Sequence, residues 1–219
     1  MRILALTDIH DRLSRALKIV MSNKDIDTII VAGDITHFGT LEEALNILRS
    51  LHESSGVKVF YVPGNCDDPR LLVYDSDDEI VNLHKKTYDL DGFTLFGIGG
   101  SNPTPFGTPI EFTDDEFREM LCMANDKGRG SKKIIVTHAP IYGINDVIGG
   151  VHVGSKALRE YLDKNTENIT LWITGHLHEY RYVTRYRDTI IVNPGPAMRG
   201  FYVIVEVSSD RIKAELRRL

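Results

Sequence analysis

Seven side chains able to ligate a metal recur along this chain, nearly all just beyond the end of an apolar strand. They are Asp8 and His10 in TDIHD, Asp34 in AGDIT, Asn65 in PGNCD, His138 in THAP, and His176 with His178 in GHLH. Carboxylate and amide oxygens together with imidazole nitrogens suit first-row divalent ions such as Mn, Fe, Ni or Zn. Asp34 carries two carboxylate oxygens and can bridge two ions. Singly, most of these pieces are ordinary: DxH, GD and GN occur in plain turns, and a lone strand-end His is usually a satisfied polar group. GHLH, with two imidazoles spaced by two, is the most specific piece. Together, five strand ends each offering a metal-competent group point to one site for two divalent cations, an arrangement suited to hydrolysing a phosphate ester.

The elements that must position these groups read as follows. Arg2–Thr7, Thr28–Ala32 and Val57–Val62 are short apolar runs rich in β-branched residues, separated by stretches of helical spacing over Arg12–Ser22 and Leu41–Leu51. Such continuous apolar strands, alternating with helices, predict βαβ units and a largely parallel sheet covered on both faces. Ligands gather beyond the carboxyl ends of strands in sheets of this kind. Asp8 and His10 are expected to lie on one side of an extended segment and so to reach one ion together.

Past the third strand the rhythm changes. Lys86–Leu90 and Phe93–Ile98 flank Asp91-Gly92 as a hairpin. Gly99–Pro109 is a loop, Thr113 with Glu116 forms a capping box for a helix to about Asp126, and Lys133–Thr137 is a buried strand. Ala139–Gly154 reads as a long Gly-rich loop, followed by a helix over Lys156–Lys164 capped by Ser155 and a strand over Ile169–Thr174. The remainder is meander-like: strands at Tyr180–Tyr186 and Thr189–Val192, then a hairpin of Phe201–Val207 and Arg211–Leu216 around Ser209-Asp210. The strands after mid-chain are expected to form a second sheet packed on the first.

A chain of 219 residues, 42% hydrophobic and 26% charged, is long enough for one sizeable core, and one domain over residues 1–219 is expected. The net charge of −5 argues against a binder of long nucleic acid. Two cysteines, Cys66 and Cys122, are too few for a disulfide framework. The opening apolar run is far shorter than a secretory leader, and no stretch approaches a membrane span. A soluble cytoplasmic protein with no membrane contact is the expectation; oligomeric state is left open, a homo-oligomer being compatible.

In their order, DxH, GD, GN, H and GHxH resemble the motif set of the calcineurin-like metallophosphoesterases, from Asp8 to His178, and Asn193-Pro194-Gly195 continues the likeness. GGSNPTPFGTP (residues 99–109) and GGVHVGS (residues 149–155) are similar to a small prokaryotic branch, the Icc-related phosphoesterases. The resemblance implies an α/β fold, a four-layer αββα sandwich of two mixed β-sheets flanked by helices. It places Asp8, His10, Asp34 and His178 around a first ion and Asp34, Asn65, His138 and His176 around a second, with Asp34 shared and manganese the first choice of metal. The implied reaction is attack on a phosphodiester by a hydroxide bridging the two ions, with a small phosphodiester or nucleotide-like molecule as substrate.

One position departs from the family pattern. Its usual motif is GNH followed by an acid, and here the His is replaced by Cys66. A thiol has a reference pKa near 8.5 and donates weakly. It cannot act as a cationic clamp, so weaker phosphomonoesterase activity is expected, a dianion profiting most from an added positive group. With that His absent, a water or His152 is expected to protonate the leaving oxygen. Arg12 is a candidate for a phosphate oxygen, and Asn102, Cys66, Asp67 and Arg199 are candidates for the substrate side. His37 reads as a solvated loop residue, His52 and His84 as structural or surface groups, and Lys132-Lys133 as a solvated face. Two other functions use the same fold: a scaffold for a protein partner, which predicts lost ligands and a large apolar patch, and a nuclease on short oligonucleotides, which predicts a basic groove or stacking aromatics.

Overall fold

The computed structural model describes residues 1–75, 77–125, 132–208 and 211–219. The chain opens with β1 (Arg2–Leu6), α1 (Leu13–Met21), β2 (Thr28–Ala32), α2 (Leu41–Ser55), β3 (Lys58–Val62) and β4 (Ile80–Asn82). It continues with β5 (Thr87–Leu90), β6 (Phe93–Ile98), α3 (Asp114–Cys122), β7 (Lys133–Thr137), β8 (Val147–Ile148), β9 (Val151–His152) and α4 (Lys156–Asn165). The last strands are β10 (Ile169–Ile173), β11 (Tyr182–Tyr186), β12 (Thr189–Asn193), β13 (Phe201–Val207) and β14 (Ile212–Arg218). Thr40 with Glu43, and Thr113 with Glu116, form complete capping boxes that fix where α2 and α3 begin. The expected helix end at Asp126 and the turn at Ser209-Asp210 lie outside the described residues.

Two six-stranded mixed sheets result, ordered β14-β13-β1-β2-β3-β4 and β11-β12-β10-β7-β6-β5. β1 to β4 run parallel, as do β6, β7, β10 and β12, and the antiparallel strands sit towards the margins. The period-two alternation of side chains divides the apolar strands between three cores. Leu4, Leu6, Ile29, Val31, Val59 and Tyr61 face α1 and α2. Ile3, Ala5, Ile30, Ala32, Phe60 and Val62 face Ile134, Val136, Leu171, Ile173 and Val192 of the other sheet. Phe96, Ile135, Trp172 and Ile191 pack beneath α3 and α4. Three cores between four layers make the αββα sandwich.

The C-terminal strands depart from expectation. β11 and β12 join the second sheet, but β13 pairs antiparallel with β1 and so returns to the first. Apolar residues on both faces of β13 explain this: Val203 and Val205 enter the inter-sheet core while Tyr202 and Ile204 meet the helix layer. The predicted loop 139–154 contains the small antiparallel hairpin β8–β9. Lys133 is buried at 7% exposure, not part of a solvated face, because it heads a central strand of the second sheet.

His84 is a structural histidine, 6% exposed, stacked on Phe112 with ring centroids 6.0 Å apart. Gly99 N–H donates to its Nδ1 at 3.0 Å, so that nitrogen must be an unprotonated acceptor. Burial, with help from Lys85 and Lys86, lowers its pKa from 6.5 to about 4. The unfolded chain therefore binds more protons than the folded one between these values, and stability present above pH 6.5 is lost as pH falls towards 4, by at most about 3 kcal/mol. Urea midpoints for wild type and His84→Gln should diverge in their pH dependence across this window, the variant being flatter; parallel curves would show that His84 does not carry the effect.

Candidate metal centre

The site stands where the carboxyl ends of parallel strands from both sheets meet. Asp8 and His10 follow β1, Asp34 follows β2, Asn65 follows β3, His138 follows β7, and His176 and His178 follow β10. The segment after β1 is not extended as expected. Asp8, His10 and Asp11 have φ of 52°, 44° and 62°, and the chain coils so that Ile9 and His10 N–H both donate to Asp34 O at 2.8 and 3.0 Å. Asp34 and His176 are likewise left-handed, at φ 50° and 71°. Such backbone is uncommon outside glycine, although Asp and His are enriched among its occupants.

Two glycines are sterically required. A Cβ at Gly33, itself at φ 91°, would collide with the His138 imidazole, and one at Gly64 would collide with the Asp34 carboxylate. The GD and GN pairs are thus the means by which the ligand loops approach one another.

All seven side chains converge. His178 Nε2 lies 3.1 Å from Asp8 Oδ1 and 3.1 Å from His10 Nε2. His10 Nε2 lies 3.8 Å from Asp8 Oδ1 and 3.5 Å from Asp34 Oδ2. On the other side, His138 Nε2 is 3.4 Å from Asp34 Oδ1 and 3.0 Å from Asn65 Oδ1, and His176 Nδ1 is 2.8 Å from the same Asn65 oxygen. Asp34 thus presents one oxygen to each half of the cluster. Asp8 with His10 and His178, and Asp8 with Asp34 and His138, each bring their ligand atoms within 4.8 Å of one another.

Electrostatics favour a cation here. Asp8 and Asp34 are 1% and 3% exposed, and among the described residues their ion-pair partners are imidazoles alone. Burial would raise both carboxyl groups, but the His178 hydrogen bond with neighbouring imidazole charge for Asp8, and His138 and His10 for Asp34, hold them below their ordinary values. Burial opposes charge on His138, yet Asp34 lifts it to about 9, while burial beside His138 drops His176 to about 4. His138 Nδ1–H donates to Ala32 O at 2.8 Å, which turns Nε2 inward. His10 Nδ1 is buried without a hydrogen-bond partner among the described residues, so its working nitrogen is the Nε2 that faces the cluster. Close nitrogens and buried carboxylates without Lys or Arg partners fit divalent ions.

Thr108 and Glu111, which sequence reasoning passed over, decide how Asn65 is turned. Asn65 Nδ2 donates to Thr108 Oγ1 at 3.0 Å, and that hydroxyl donates to Glu111 Oε1 at 2.6 Å. With its single proton committed to the carboxylate, Thr108 Oγ1 can only accept from Asn65, and the amide oxygen is left facing His138 and His176. Glu111 also takes Thr104 Oγ1 and Thr108 N–H, at 2.6 and 2.8 Å. Burial works against its charge, but these donors bring its pKa down to about 2.

The remaining candidates scatter. A cleft of about 690 Å³ opens over the cluster, and Cys66 and Asn102 line it. Asp67 does not: fully buried, it accepts from Ile35 N, Thr36 N, Thr36 Oγ1 and Gly64 N, and so staples the Asp34 loop to the Asn65 loop. His152 is turned away from the cleft, with Nδ1 at 2.6 Å from Asp146 Oδ1 and its ring beside Tyr142. Its neighbour Val153, just past the end of β9, lines the cleft in its place. Arg12 and Arg199 are exposed and are not among the cleft's lining residues. His37 is exposed too, but it does line the cleft, 5.3 Å from the His10 ring. The NPG segment has a structural place: Asn193 Oδ1 accepts from Gly195 N–H, and the N–H groups of Ala197 and Met198 donate to Thr7 O and Asp8 O.

The model of the calcineurin-like phosphoesterase family matches residues 1–180. An uncharacterized protein of Methanocaldococcus jannaschii is 37% identical over 206 residues, 90% of this chain and 88% of the relative. Among solved structures, TT1561 of Thermus thermophilus aligns with a TM-score of 0.76 at 19% identity, over 98% of this chain and 97% of the other. A dimetal phosphatase from Danio rerio aligns at 0.68 and 12% identity, over 100% of this chain and 96% of the other. These two are alike in fold. No helix among the described residues is long and apolar enough to cross a membrane. From the matched family model and the relative similar along nearly its whole length, the chain belongs to the calcineurin-like phosphoesterases, a family that uses divalent metals.

Proposed function

We propose that this protein is a two-metal phosphodiesterase acting on a small substrate, with manganese the first choice of ion. Asp8, His10, Asp34 and His178 would hold one ion, and Asp34, Asn65, His138 and His176 the other. When bound, the pair would supply Lewis-acid polarisation of the phosphoryl group and an acidified water. The chain's own part is to hold these donors in place and to leave the cleft open beside them.

The observation that carries the preference for diesters is the lack of Lys and Arg along the cleft among the described residues. At position 66 the side chain is a thiol that is 8% exposed. Burial, reinforced by Asp34, pushes that thiol above its ordinary value and favours its neutral form. A phosphomonoester carries close to two negative charges at neutral pH, a diester one. The diester leaves less charge uncompensated. The same lack of basic side chains weighs against a nuclease, and the seven converging ligands weigh against a scaffold that has lost its chemistry. His37 is the cleft imidazole outside the cluster, and it takes the place of His152 as the group set to protonate a leaving oxygen.

Three outcomes test this reading. Metal-stripped protein incubated with Mn²⁺ and desalted should retain two equivalents by elemental analysis, and Asp34→Asn should fall below two with turnover lowered by at least roughly 100-fold; a full complement in the variant would remove Asp34 from its bridging place. At pH 7, bis(4-nitrophenyl) phosphate should exceed 4-nitrophenyl phosphate in kcat/KM, and Cys66→His should narrow the gap; a monoester turned over as fast as the diester by wild type contradicts the preference. His37→Asn should slow esters of poor leaving groups, such as phenolate, more than those of 4-nitrophenolate; an equal loss on both would leave the leaving oxygen to water.

A further inference from the structure

Above the metal-binding floor the cleft changes character. Its lining includes Phe38, then Pro103, Pro105 and Phe106 of a second segment, and Ile148 of β8 with Val153 just past β9 from a third. These are not groups left outside for want of room in a core. Phe106 is 85% and Phe38 56% exposed, while Ile148 and Val153 are each 37% exposed. Large exposed apolar side chains gathered around one opening, with a few polar groups among them, are the usual make-up of a site for a small molecule bearing an apolar part.

Two further observations narrow the ligand. Phe38 sits at φ 61°, a conformation that a bulky residue rarely adopts, and is kept there by its N–H donating to Cys66 O at 3.0 Å. Backbone strain of this kind is retained where the surroundings over-determine it, commonly beside a working site. Its ring also ends a run of aromatic neighbours leading out from the cluster: His178 to His10 at 5.0 Å, His10 to His37 at 5.3 Å, and His37 to Phe38 at 4.8 Å. The run offers ring faces and edges at the mouth, and among the described residues no Lys or Arg lines the cleft to meet a second anionic group.

We infer that the substrate is a phosphodiester whose second substituent, the one that stays on phosphorus, is an uncharged aromatic group seated between Phe38 and Phe106. This rests on the phosphodiesterase reading and adds to it the class of the retained substituent. Polyphosphates and diesters carrying further acidic groups are disfavoured by the same walls.

The test keeps the leaving group constant. Methyl 4-nitrophenyl phosphate and benzyl 4-nitrophenyl phosphate release the same chromophore and differ in the retained group alone. With Mn²⁺-loaded protein the benzyl ester should show a kcat/KM about ten- to a hundred-fold higher, the gain lying mainly in KM. Independently of turnover, methyl phenylphosphonate should bind the same protein more tightly than methyl methylphosphonate by a similar factor in Kd. Phe106→Ser should erase most of the preference and Phe106→Leu, which keeps an apolar wall, should preserve most of it; at 85% exposure neither change threatens the fold. Phe38→Ala should likewise shrink the benzyl-to-methyl ratio. Equal kcat/KM for the two esters, or a ratio unmoved by Phe106→Ser, overturns this inference and leaves the diesterase reading standing. No turnover of either ester with Mn²⁺, Ni²⁺, Mg²⁺ or Zn²⁺ overturns both.

Discussion

Two carboxylates buried side by side set the terms for the rest of the molecule. Asp8 and Asp34 lie almost wholly out of water at the meeting of the two sheets, where an unpaired charge would cost several kcal/mol. No Arg or Lys answers them among the described residues; the imidazoles of His10, His138 and His178 and the Cys66 N–H do. Imidazole compensates well only while it carries a proton, and the cluster cannot charge all four rings at once: the field that raises His138 goes with a depressed His176. Divalent ions resolve that conflict, because they let every ring be neutral and every carboxylate be charged. The fold's central device, parallel strands of two sheets ending at one place, supplies the rigidity to hold such a cluster together.

That rigidity is visible in the backbone. Asp8, His10, Asp34 and His176 all occupy left-handed conformations, each an unfavourable local choice for a residue with a side chain. Cross-links between loops hold them. His138 reaches across to Ala32 O, Thr7 Oγ1 donates to the same carbonyl, Gly175 N–H donates to His138 O, and Asp67 ties four donors of two loops to one side chain. Asp67 is itself raised to about 6 by burial and by Asp34, so it is still charged at neutral pH, when those bonds are strongest.

The ligands were legible in the sequence because strand-end position is legible: an apolar run followed by Gly-Asp or Gly-Asn marks both the strand and the turn. The cover on both faces of the first sheet was legible for a related reason, since strands apolar at every position need it; the full four-layer sandwich was implied by the family resemblance. What escaped was anything set by a loop's path. His152 stood in a suggestive segment, but it is the next residue, Val153, that lines the cleft. Thr108 and Glu111 sit far along the chain from Asn65 and meet it only because loop 99–109 folds over β3's end. Asp8 and His10 were expected to share a face through extended alternation and share it through a coil instead. The return of β13 to β1 was hidden because β-branched strands of either sheet look alike.

Residue 66 shows how substrate choice can vary without disturbing the metals. Its N–H donates to Asp34 Oδ1 and its carbonyl accepts from Phe38 N–H, so its backbone belongs at once to the ligand cluster and to the aromatic wall. Both bonds are independent of the side chain. A His there would add an imidazole to the cleft while Asp34 and Phe38 kept their anchors; the Cys keeps the same backbone bonds without that imidazole. Charge at position 66 and apolar surface at position 38 are therefore separable settings on a fixed frame. On the proposed reading, the present combination of a thiol with a strained phenyl ring would suit a substrate that brings one negative charge and an apolar group.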